Sequence, residues 1–269
     1  FRRVLFRSRR LESLERAVAR WGEGDLSVRL TVQGEDEVTS LTQRFNQAAE
    51  KMQGLMLSHK NLLAHASHEL RTPITRLRMA MELLATRPDE SLRVEILRDL
   101  DELDQLVEEV LLASRLERVS TDPQADMDTV DLAGLASEEC SRNEVALDLQ
   151  AALSLQVTGV DLLLRRMIRN LLDNALRHGG ARTEVKMRLQ PIPGQRLRLE
   201  VSDRGPGVPH ESLEKIFEPF YRLPGRGQWQ GGTGLGLTLV RSIARHHGGD
   251  ARCESHPGGG ACFVVELPL

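Results

Sequence analysis

A histidine followed directly by a glutamate, His68-Glu69, stands in a stretch whose apolar residues recur at helical spacing. Ala66 and Leu70 are predicted core positions, and at about 100° per residue the His68 side chain then points to solvent. Thr72, one turn further on, shares this face. The neighbouring carboxylate can hold one ring nitrogen protonated while the other attacks, so the imidazole suits a nucleophile. An ordinary surface histidine would show the same pattern, and these residues alone leave that alternative open.

Two asparagines one helical turn apart, Asn170 and Asn174, lie in a second predicted helix, over residues 161–177. Their amide oxygens are hard ligands of the kind that Mg²⁺ prefers, and Arg177 could reach phosphate groups. A helix end capped by Gly179, with both asparagines in solvent, is the other interpretation. Both interpretations stand on the residues alone.

Two glycine-containing stretches in the last quarter of the chain have the composition of ligand-binding loops. In residues 203–208 the glycines allow a ligand to approach closely and the Asp203 carboxylate can accept from an exocyclic amine, although a simple turn is the alternative. Residues 231–237 open a helix, where backbone N–H groups can form an anion site. This second stretch lacks the lysine of a P-loop and does not match the dinucleotide-binding fingerprint.

An aromatic segment, residues 216–222, leads into a segment with six glycines, residues 224–236. This composition predicts a mobile lid that is hinged on its aromatic anchors and covers a binding site. A disordered surface loop is the alternative, and both can hold.

The first half of the chain has the apolar spacing of long helices. Two runs at heptad spacing, joined by an extended connector, indicate a parallel coiled-coil dimer. After a phase change, two amphipathic helices joined at residues 86–89 predict a helical hairpin and, in a dimer, a four-helix bundle. Pro73 lacks an N–H and is expected to loosen or kink the first of these helices. The heptad positions are Leu11, Leu14, Val18 and Trp21, then Val38, Leu41, Phe45, Ala48, Met52 and Leu55; the apolar face of the second hairpin helix is Leu92, Ile96, Leu100, Leu103, Val107, Val110 and Ser114.

The second half of the chain mixes strands with helices beyond a polar hinge at residues 120–123. This order predicts an α/β sandwich of about 150 residues, which is long enough for a core of its own. The predicted strands are residues 146–149, 153–157, 184–189 and 196–202 and a hairpin over 251–267 that turns at 257–260; the predicted helices are 161–177 and 235–246.

Length and composition exclude several classes of protein. With 269 residues, 40% of them hydrophobic, the chain is expected to fold as about two domains. A net charge of −3 and 3% aromatic residues argue against nucleic-acid binding, and three cysteines without metal-ligand spacing indicate a reducing compartment. No apolar run is long enough to span a membrane. Because the chain begins at Phe1 without a signal peptide, we expect a fragment of a longer protein, with a juxtamembrane or vector-derived leader over residues 1–10 that carries five arginines.

In this order, the motifs resemble the cytoplasmic part of bacterial two-component sensor histidine kinases over nearly the whole chain. Residues 34–38 with Leu41, Phe45 and Asn46 are similar to the second half of a HAMP linker. Residues 67–73 resemble the H-box, and residues 170–174, 203–207, 217–220 and 232–236 resemble the N, G1, F and G2 boxes. The resemblance implies a HAMP linker over 11–56, a dimerisation and histidine-phosphotransfer hairpin over 57–119, and an ATP-binding catalytic domain of the histidine kinase, Hsp90 and gyrase type over 120–269.

The resemblance also implies roles for single residues. His68 would accept the phosphoryl group, with Glu69 as its general base or orienting partner. Together with these two, Thr72 matches a pattern linked to phosphatase activity on the partner protein, in which Thr72 positions the attacking water. The implied cofactors are ATP and Mg²⁺, with Asn174 and Asn170 at the metal. The implied nucleotide-binding residues are Asn170, Asn174, Arg177, His178, Asp203, Gly205, Gly207, Val208, Phe217, Arg222, Gly232, Thr233, Gly234, Leu235 and Gly236.

The implied function is ATP-dependent autophosphorylation of His68 and transfer of the phosphoryl group to an aspartate of a response regulator. The implied assembly is a homodimer whose full-length form is anchored in the bacterial inner membrane, with this part on the cytoplasmic side. A non-catalytic signalling scaffold and a chaperone- or topoisomerase-like ATPase are the alternative functions. The complete set of boxes disfavours the scaffold, and the upstream histidine helix disfavours the ATPase.

Three features depart from the family pattern. The first HAMP helix lacks the proline common near its start, since Leu11 follows two arginines. His178 stands where an aromatic residue near the nucleotide is common. The segment between Asp131 and Leu155 is short for the first helix and strands of the catalytic domain, and we expect a trimmed edge there without loss of activity.

Overall fold

The structure is a computed structural model that describes residues 2–34, 36–86, 89–118, 127–150, 155–179, 185–223, 233–255 and 259–269. The chain divides into two compact units, Phe1–Ala64 and His65–Leu269. The helices of the described residues are α1 Arg2–Gly22, α2 Glu37–Thr86, α3 Glu90–Arg118, α4 Leu132–Asn143, α5 Asp161–His178 and α6 Gly236–His246. The strands are β1 Asp128–Asp131, β2 Ala146–Leu149, β3 Gln156–Gly159, β4 Lys186–Ile192, β5 Arg196–Ser202, β6 Asp250–Ser255 and β7 Ala261–Pro268.

The first unit contains α1, a connector and the beginning of α2. The amide side chain of Asn46 on α2 fixes the connector, because it accepts from the backbone N–H of Leu30 at 2.9 Å and donates to the Leu30 carbonyl at 2.8 Å. Arg10 on α1 binds the Asp36 carboxylate at 2.9 Å and the Thr39 hydroxyl at 2.9 Å. The predicted order of helix, connector and helix is therefore present.

The helix that carries His68 is a single α-helix of 50 residues with Pro73 in its interior. The predicted phase change and the predicted kink produce no break in this helix. Pro73 is buried and has no N–H for the carbonyl of Glu69, so one helical hydrogen bond is lost one turn from His68. None of the helices in the described residues combines the length and the apolar character that a membrane crossing needs.

Helices α2 and α3 form the predicted hairpin. Arg76, ten residues before the end of α2, pairs with Asp99 at 3.1 Å and with Glu102 at 2.7 Å, which lie at a similar depth in α3. This is the pairing of two antiparallel helices. The predicted apolar face of α3 is only partly buried within the chain, since Leu100 and Val107 are 46% and 44% exposed. The positions that α3 buries are instead Asp99, Leu106, Glu109 and Ala113.

The α/β domain has a five-stranded sheet in the order β2-β4-β5-β7-β6, in which only β2 and β4 run parallel, and a separate antiparallel pair of β1 and β3. Alternate residues of β5 are buried, as expected for a strand with one face on the core. Helix α5 buries an apolar stripe that includes Leu164, Ile168, Leu171 and Ala175, and it packs against α4 and α6. A helical region followed by an α/β sandwich confirms the predicted fold class.

The edge of this domain is where the sequence-based expectation is wrong. The segment after residue 127 is not trimmed, because it forms β1, the 12-residue helix α4 and β2. The strand predicted over residues 153–157 begins later, since β3 runs from Gln156 to Gly159. The hinge at residues 120–123 and the first half of the turn at 257–260 lie outside the described residues.

A fully buried carboxylate joins α4 to α5. Glu139 has no exposed surface, and its oxygens accept from Arg169 Nε and Nη2, each at 2.9 Å, and from Arg165 Nη1 at 3.0 Å. Burial alone would raise the pKa of Glu139, yet the hydrogen bonds from the two arginines hold this pKa below its usual value. The residue therefore remains ionised inside the domain and ties the edge helix to the core helix.

Candidate functional site

A cavity of about 420 Å³ lies between α3, α5, the start of α6 and the sheet. Its volume is within the range of sites for small ligands, about 300–1,000 Å³. The predicted nucleotide-binding residues that line it are Asn170, Asn174, Arg177, His178, Asp203, Gly207, Val208, Arg222, Thr233, Gly234 and Gly236. The three chain segments that resemble the N, G1 and G2 boxes are thus brought together at one cavity.

Asp203 is the buried acceptor at the base of this cavity. It directly follows β5 and is 4% exposed. One carboxylate oxygen, Oδ1, accepts from the backbone N–H of Gly205 at 2.9 Å and of Ala261 at 3.2 Å. Because backbone groups hold Oδ1, the carboxylate cannot rotate freely, and within the described residues no protein donor is assigned to Oδ2. A fixed acceptor oxygen in a buried wall suits recognition of an amine such as that of adenine.

The two asparagines of α5 have different environments. Asn170 is 7% exposed, and its Nδ2 donates to the carbonyl of Gly236 at 3.3 Å, so it ties α5 to the start of α6. Asn174 is half-buried and lines the cavity one turn later. Its amide oxygen, with Oδ1 of Asn170, is chemically suited to Mg²⁺. Among the described residues, no group of three His, Cys, Asp or Glu side chains is placed to hold a metal, so a metal here would depend on amide and phosphate oxygens.

Asp173, between the two asparagines in sequence, also lines the cavity. Its carboxyl reaches solvent, but the surrounding protein atoms raise its pKa above the usual value, while Arg177 and Arg166 act in the opposite direction. An acidic group next to two asparagines and two arginines gives this wall of the cavity mixed polarity. No motif in the sequence predicted a role for Asp173.

Gly205, in the segment that resembles the G1 box, lies so close to a neighbouring backbone carbonyl that a side chain would not fit. A Cβ at Gly205 would lie 2.2 Å from the carbonyl oxygen of His178, at the end of α5. Gly234 has a φ of +73°, and a Cβ there would lie 2.8 Å from Cα of Phe220. Gly205 does not itself line the cavity; it allows the loop after β5 to approach the end of α5 closely.

Several predicted site residues lie away from the cavity wall. Leu235 is fully buried, and Phe217 is 6% exposed beneath the guanidinium of Arg241, 5.1 Å from its ring centroid. Both residues pack the domain core behind the cavity. Gly232 and most of the predicted lid, residues 224–232, lie outside the described part of the chain.

The predicted catalytic residues lie on α2. His68 and Thr72 are exposed, so the helical-face prediction for these two side chains agrees with the structure, and Glu69 beside them is half-buried. None of them lines the cavity. The hairpin instead contributes residues that the sequence analysis missed, all on one face of α3: Arg98, Asp101, Glu102, Gln105 and Glu109. Their spacing of three and four residues was visible, but nothing in the sequence indicated that this face meets the α/β domain.

A buried histidine, His247, connects the two helices that frame the cavity. Its Nε2 accepts from the backbone N–H of Val160, at the start of α5, at 3.1 Å. The other ring nitrogen, Nδ1, must then carry the proton and donate to the carbonyl of Ile243 on α6, at 2.7 Å. Burial lowers the pKa of His247 below its usual value of 6.5.

We predict that His247 makes the stability of this domain depend on pH. A protonated Nε2 could not accept from Val160, and the native pKa is the lower one, so this contribution is present above about pH 6.5 and is lost as the pH falls towards the native pKa. Urea unfolding of wild type between pH 5 and 8 should show the loss. His247→Gln should be less stable at pH 7.5 by about 1–3 kcal/mol and should lack this slope. His246→Gln is the matched control, and an unchanged slope in His247→Gln would contradict the assignment.

Fold and cavity together define an ATP-binding type of α/β domain that follows a helical hairpin with an exposed histidine. Comparison with protein-family models identifies the same parts. Residues 159–269 match the "Histidine kinase-, DNA gyrase B-, and HSP90-like ATPase" family, residues 58–119 match the "His Kinase A (phospho-acceptor) domain", and residues 7–54 match the HAMP domain.

Curated relatives and solved structures agree with these matches. The chain is 36% identical over 266 residues to the sensor histidine kinase GtrS of Pseudomonas aeruginosa, covering 98% of this chain and 53% of that protein. It is 35% identical over 264 residues to the sensor protein RstB of Escherichia coli, covering 95% of this chain and 59% of that protein. The histidine kinase AdeS of Acinetobacter baumannii has a similar structure, with a TM-score of 0.61, 26% identity and coverage of 75% of this chain and 98% of that one.

The chain belongs to the sensor histidine kinases of two-component systems. It contains the HAMP, phospho-acceptor and ATP-binding domains and spans between 53% and 59% of the length of these two curated relatives.

Proposed function

We propose that this protein is an ATP-dependent protein-histidine kinase that phosphorylates itself on His68. The observation that carries the proposal is the combination, in one compact unit, of an exposed histidine on a long helix and a cavity built around the buried Asp203 carboxylate. The proposed transfer forms a bond between a His68 ring nitrogen and the γ-phosphorus of ATP while the bond to the bridging oxygen breaks and ADP leaves.

Each part of the cavity has a proposed task in this reaction. Asp203 accepts from the adenine amine, Arg177 and Arg222 contact the triphosphate, and Asn174 with Asn170 would hold Mg²⁺. When bound, Mg²⁺ neutralises charge on the phosphates. Glu69 orients the imidazole by holding the proton on the nitrogen that does not attack. We also propose that the HAMP linker ends at residue 56, that the phosphotransfer hairpin runs from residue 57 to 119, and that the ATP-binding domain begins at residue 120.

The proposed kinase is a homodimer. In the single chain, apolar side chains are exposed along both hairpin helices, among them Ile74 at 51% and Met81 at 61% on α2 and Leu97 at 61% and Val107 at 44% on α3. Large exposed apolar side chains in a row indicate a surface that a further chain covers. A second copy of the hairpin would bury them in a four-helix bundle.

The proposed place of this dimer is the cytoplasmic side of the bacterial inner membrane, where a segment outside this sequence anchors it. This rests on the HAMP domain and on the sensor kinases among the relatives. We propose that the phosphoryl group passes from His68 to an aspartate of a response regulator.

Incubation of the dimer with γ-labelled ATP and Mg²⁺ tests the kinase function. We expect acid-labile, alkali-stable phosphate on the protein, and no phosphate after chelation of Mg²⁺. Failure to bind a fluorescent ATP analogue in the presence of Mg²⁺ would favour a scaffold without catalysis. Steady ATP hydrolysis without phosphoprotein would favour a simple ATPase.

We further propose that the protein dephosphorylates its response regulator, with Thr72 positioning the attacking water. Thr72 is exposed one turn from His68 on α2, as this role requires. We expect Thr72→Ala to slow the loss of phosphate from a phosphorylated regulator by about a hundredfold or more, the lower end of what one positioned group contributes, while His68 still takes up label. Thr75→Ala is the matched control, because the Thr75 hydroxyl is occupied by the carbonyl of Arg71 at 2.8 Å. Equal loss of phosphate in both variants would reject the role of Thr72.

A further inference from the structure

A buried carboxylate on the hairpin, outside every motif of the sequence, is bonded to the ATP-binding domain. Glu109 on α3 is 2% exposed. Its Oε2 accepts from the Thr233 hydroxyl at 2.5 Å, and its Oε1 accepts from Arg166 Nη2 at 3.3 Å and from Gln105 Nε2 at 3.1 Å. Burial of a carboxylate costs free energy unless hydrogen-bond partners compensate its charge. The contacts of Glu109 therefore favour the arrangement in which the hairpin and the ATP-binding domain meet at this residue.

The two partners of Glu109 in the ATP-binding domain belong to α5 and to the segment that leads into α6, and both of these elements contribute residues to the cavity. Arg166 lies on α5, one turn before Asn170. Thr233 stands just before α6, and its hydroxyl also accepts from the backbone N–H of Leu235 at 3.2 Å. Glu109 thus ties α3 to both elements that position the nucleotide. Arg166 reaches Glu109 through Nη2, while its buried Nε has no hydrogen-bond partner in the described residues.

A second contact between hairpin and domain lies on α2. The ring of His65 stacks on Phe220, with centroids 5.3 Å apart and an angle of 21° between the planes. Phe220 in turn donates its N–H to the carbonyl of Gly234 at 3.0 Å, close to Thr233. Together, His65 and Glu109 hold the domain against the hairpin, through Phe220 before residues 224–232 and through Thr233 directly after them. We call this the docked arrangement.

In the docked arrangement, the cavity faces α3, whereas transfer to His68 requires it to face α2. The hairpin residues that line the cavity are all on α3, and three of them are carboxylates: Asp101, Glu102 and Glu109. Carboxylates disfavour a nearby triphosphate by like-charge repulsion. His68 is exposed on α2, and it does not line the cavity.

We propose that Glu109 holds the ATP-binding domain in a docked arrangement that withholds phosphoryl transfer, so that loss of its contacts raises autophosphorylation. This inference rests on the proposed kinase function. Glu109 is a positioning residue in this scheme, because it acts through the placement of Arg166 and Thr233. The docked arrangement leaves His68 and Thr72 accessible, so Glu109 also sets the balance between kinase and phosphatase output.

The test compares Glu109→Gln with Glu108→Gln, an exposed neighbour on the same helix, in the dimeric chain. The initial rate of label uptake at saturating ATP should rise about fivefold to tenfold in Glu109→Gln, as expected for the loss of a hydrogen-bonded charge that biases two states. Glu108→Gln should match wild type. Exchange of the charges in Glu109→Arg with Arg166→Glu should bring the rate back towards wild type, which a merely structural loss would not do.

Hydrogen exchange provides a readout that does not depend on kinase activity. Backbone amides of α3 around residue 109 and at the start of α6 should exchange faster in Glu109→Gln than in Glu108→Gln. Unchanged exchange together with an unchanged rate would overturn the proposal. A lower rate at unchanged ATP affinity would overturn it too, because Glu109 would then serve the transfer. If wild type and variants all fail to take up label, the proposed kinase function is wrong. Faster exchange in Glu109→Gln would then show that Glu109 joins the hairpin to the domain, but the proposed regulation of phosphoryl transfer would be rejected.

Discussion

His68→Gln is expected to abolish phosphate incorporation completely while ATP binding stays at the wild-type level. Glutamine has a similar size and polarity, but its amide nitrogen is not nucleophilic, so the reaction has no acceptor. His68 is exposed on α2 and does not line the cavity, so the substitution should leave the Asp203 cavity intact. The measurement is acid-labile, alkali-stable label from γ-labelled ATP, beside the affinity for a fluorescent ATP analogue.

The matched control for His68→Gln is His65→Gln, one turn earlier on the same exposed face. His65 stacks on Phe220, so its replacement can change the rate, but label must still appear. Persistent label on His68→Gln would show that another residue accepts the phosphoryl group.

Glu139→Gln is expected to lower the free energy of unfolding of the ATP-binding domain by about 2–4 kcal/mol, because it leaves two arginines beside a neutral amide. Glu139 has no exposed surface. Arg165 and Arg169 hydrogen-bond its carboxylate, and Arg142 pairs with it at 3.6 Å. The pKa of Glu139 lies below its usual value of 4.5, so its ionised form stabilises the fold above about pH 4.5. This stabilisation is lost as the pH falls towards the native pKa.

Denaturant unfolding at pH 7 and pH 4 measures both effects of Glu139. Glu138→Gln is the matched control: Glu138 also binds Arg165, at 2.6 Å, but its side chain is 61% exposed, and such exposed pairs contribute at most about 1 kcal/mol. Equal losses in the two variants would show that burial of Glu139 does not decide its contribution.

The sequence predicted the helices and strands best where one periodic pattern continues over many residues. Helix α5 was predicted to end at residue 177 and ends at His178, because its apolar stripe has an uninterrupted helical spacing. Helix α4 was missed although signals were present: Asp131 caps it by accepting from the N–H of Gly134, and Leu132, Leu135, Ala136 and Cys140 are buried at helical spacing. The family resemblance led us to expect a shortened edge of the domain in this segment.

The candidate site could be predicted only in part. Motifs placed Asp203 and Asn174 at one cavity because each follows from a local pattern of residues. The contacts of Glu109 could not be predicted, since its partners lie 57 and 124 residues away in sequence and depend on how a helix face meets another fold. The same holds for Phe217, whose aromatic character gave no indication that Arg241 covers its ring.

The close contact at Gly205 shows that a glycine motif can be required by the fold itself and not by nucleotide binding. Its hydrogen side chain is required by the carbonyl of His178, 2.2 Å from where a Cβ would stand, and no nucleotide takes part in this requirement. A relative that had lost nucleotide binding would still need glycine here in order to fold. The presence of this glycine in a related sequence therefore indicates an intact fold. Loss of the proposed nucleotide binding would instead be expected to change residues that line the cavity, such as Asp203 and Asn174.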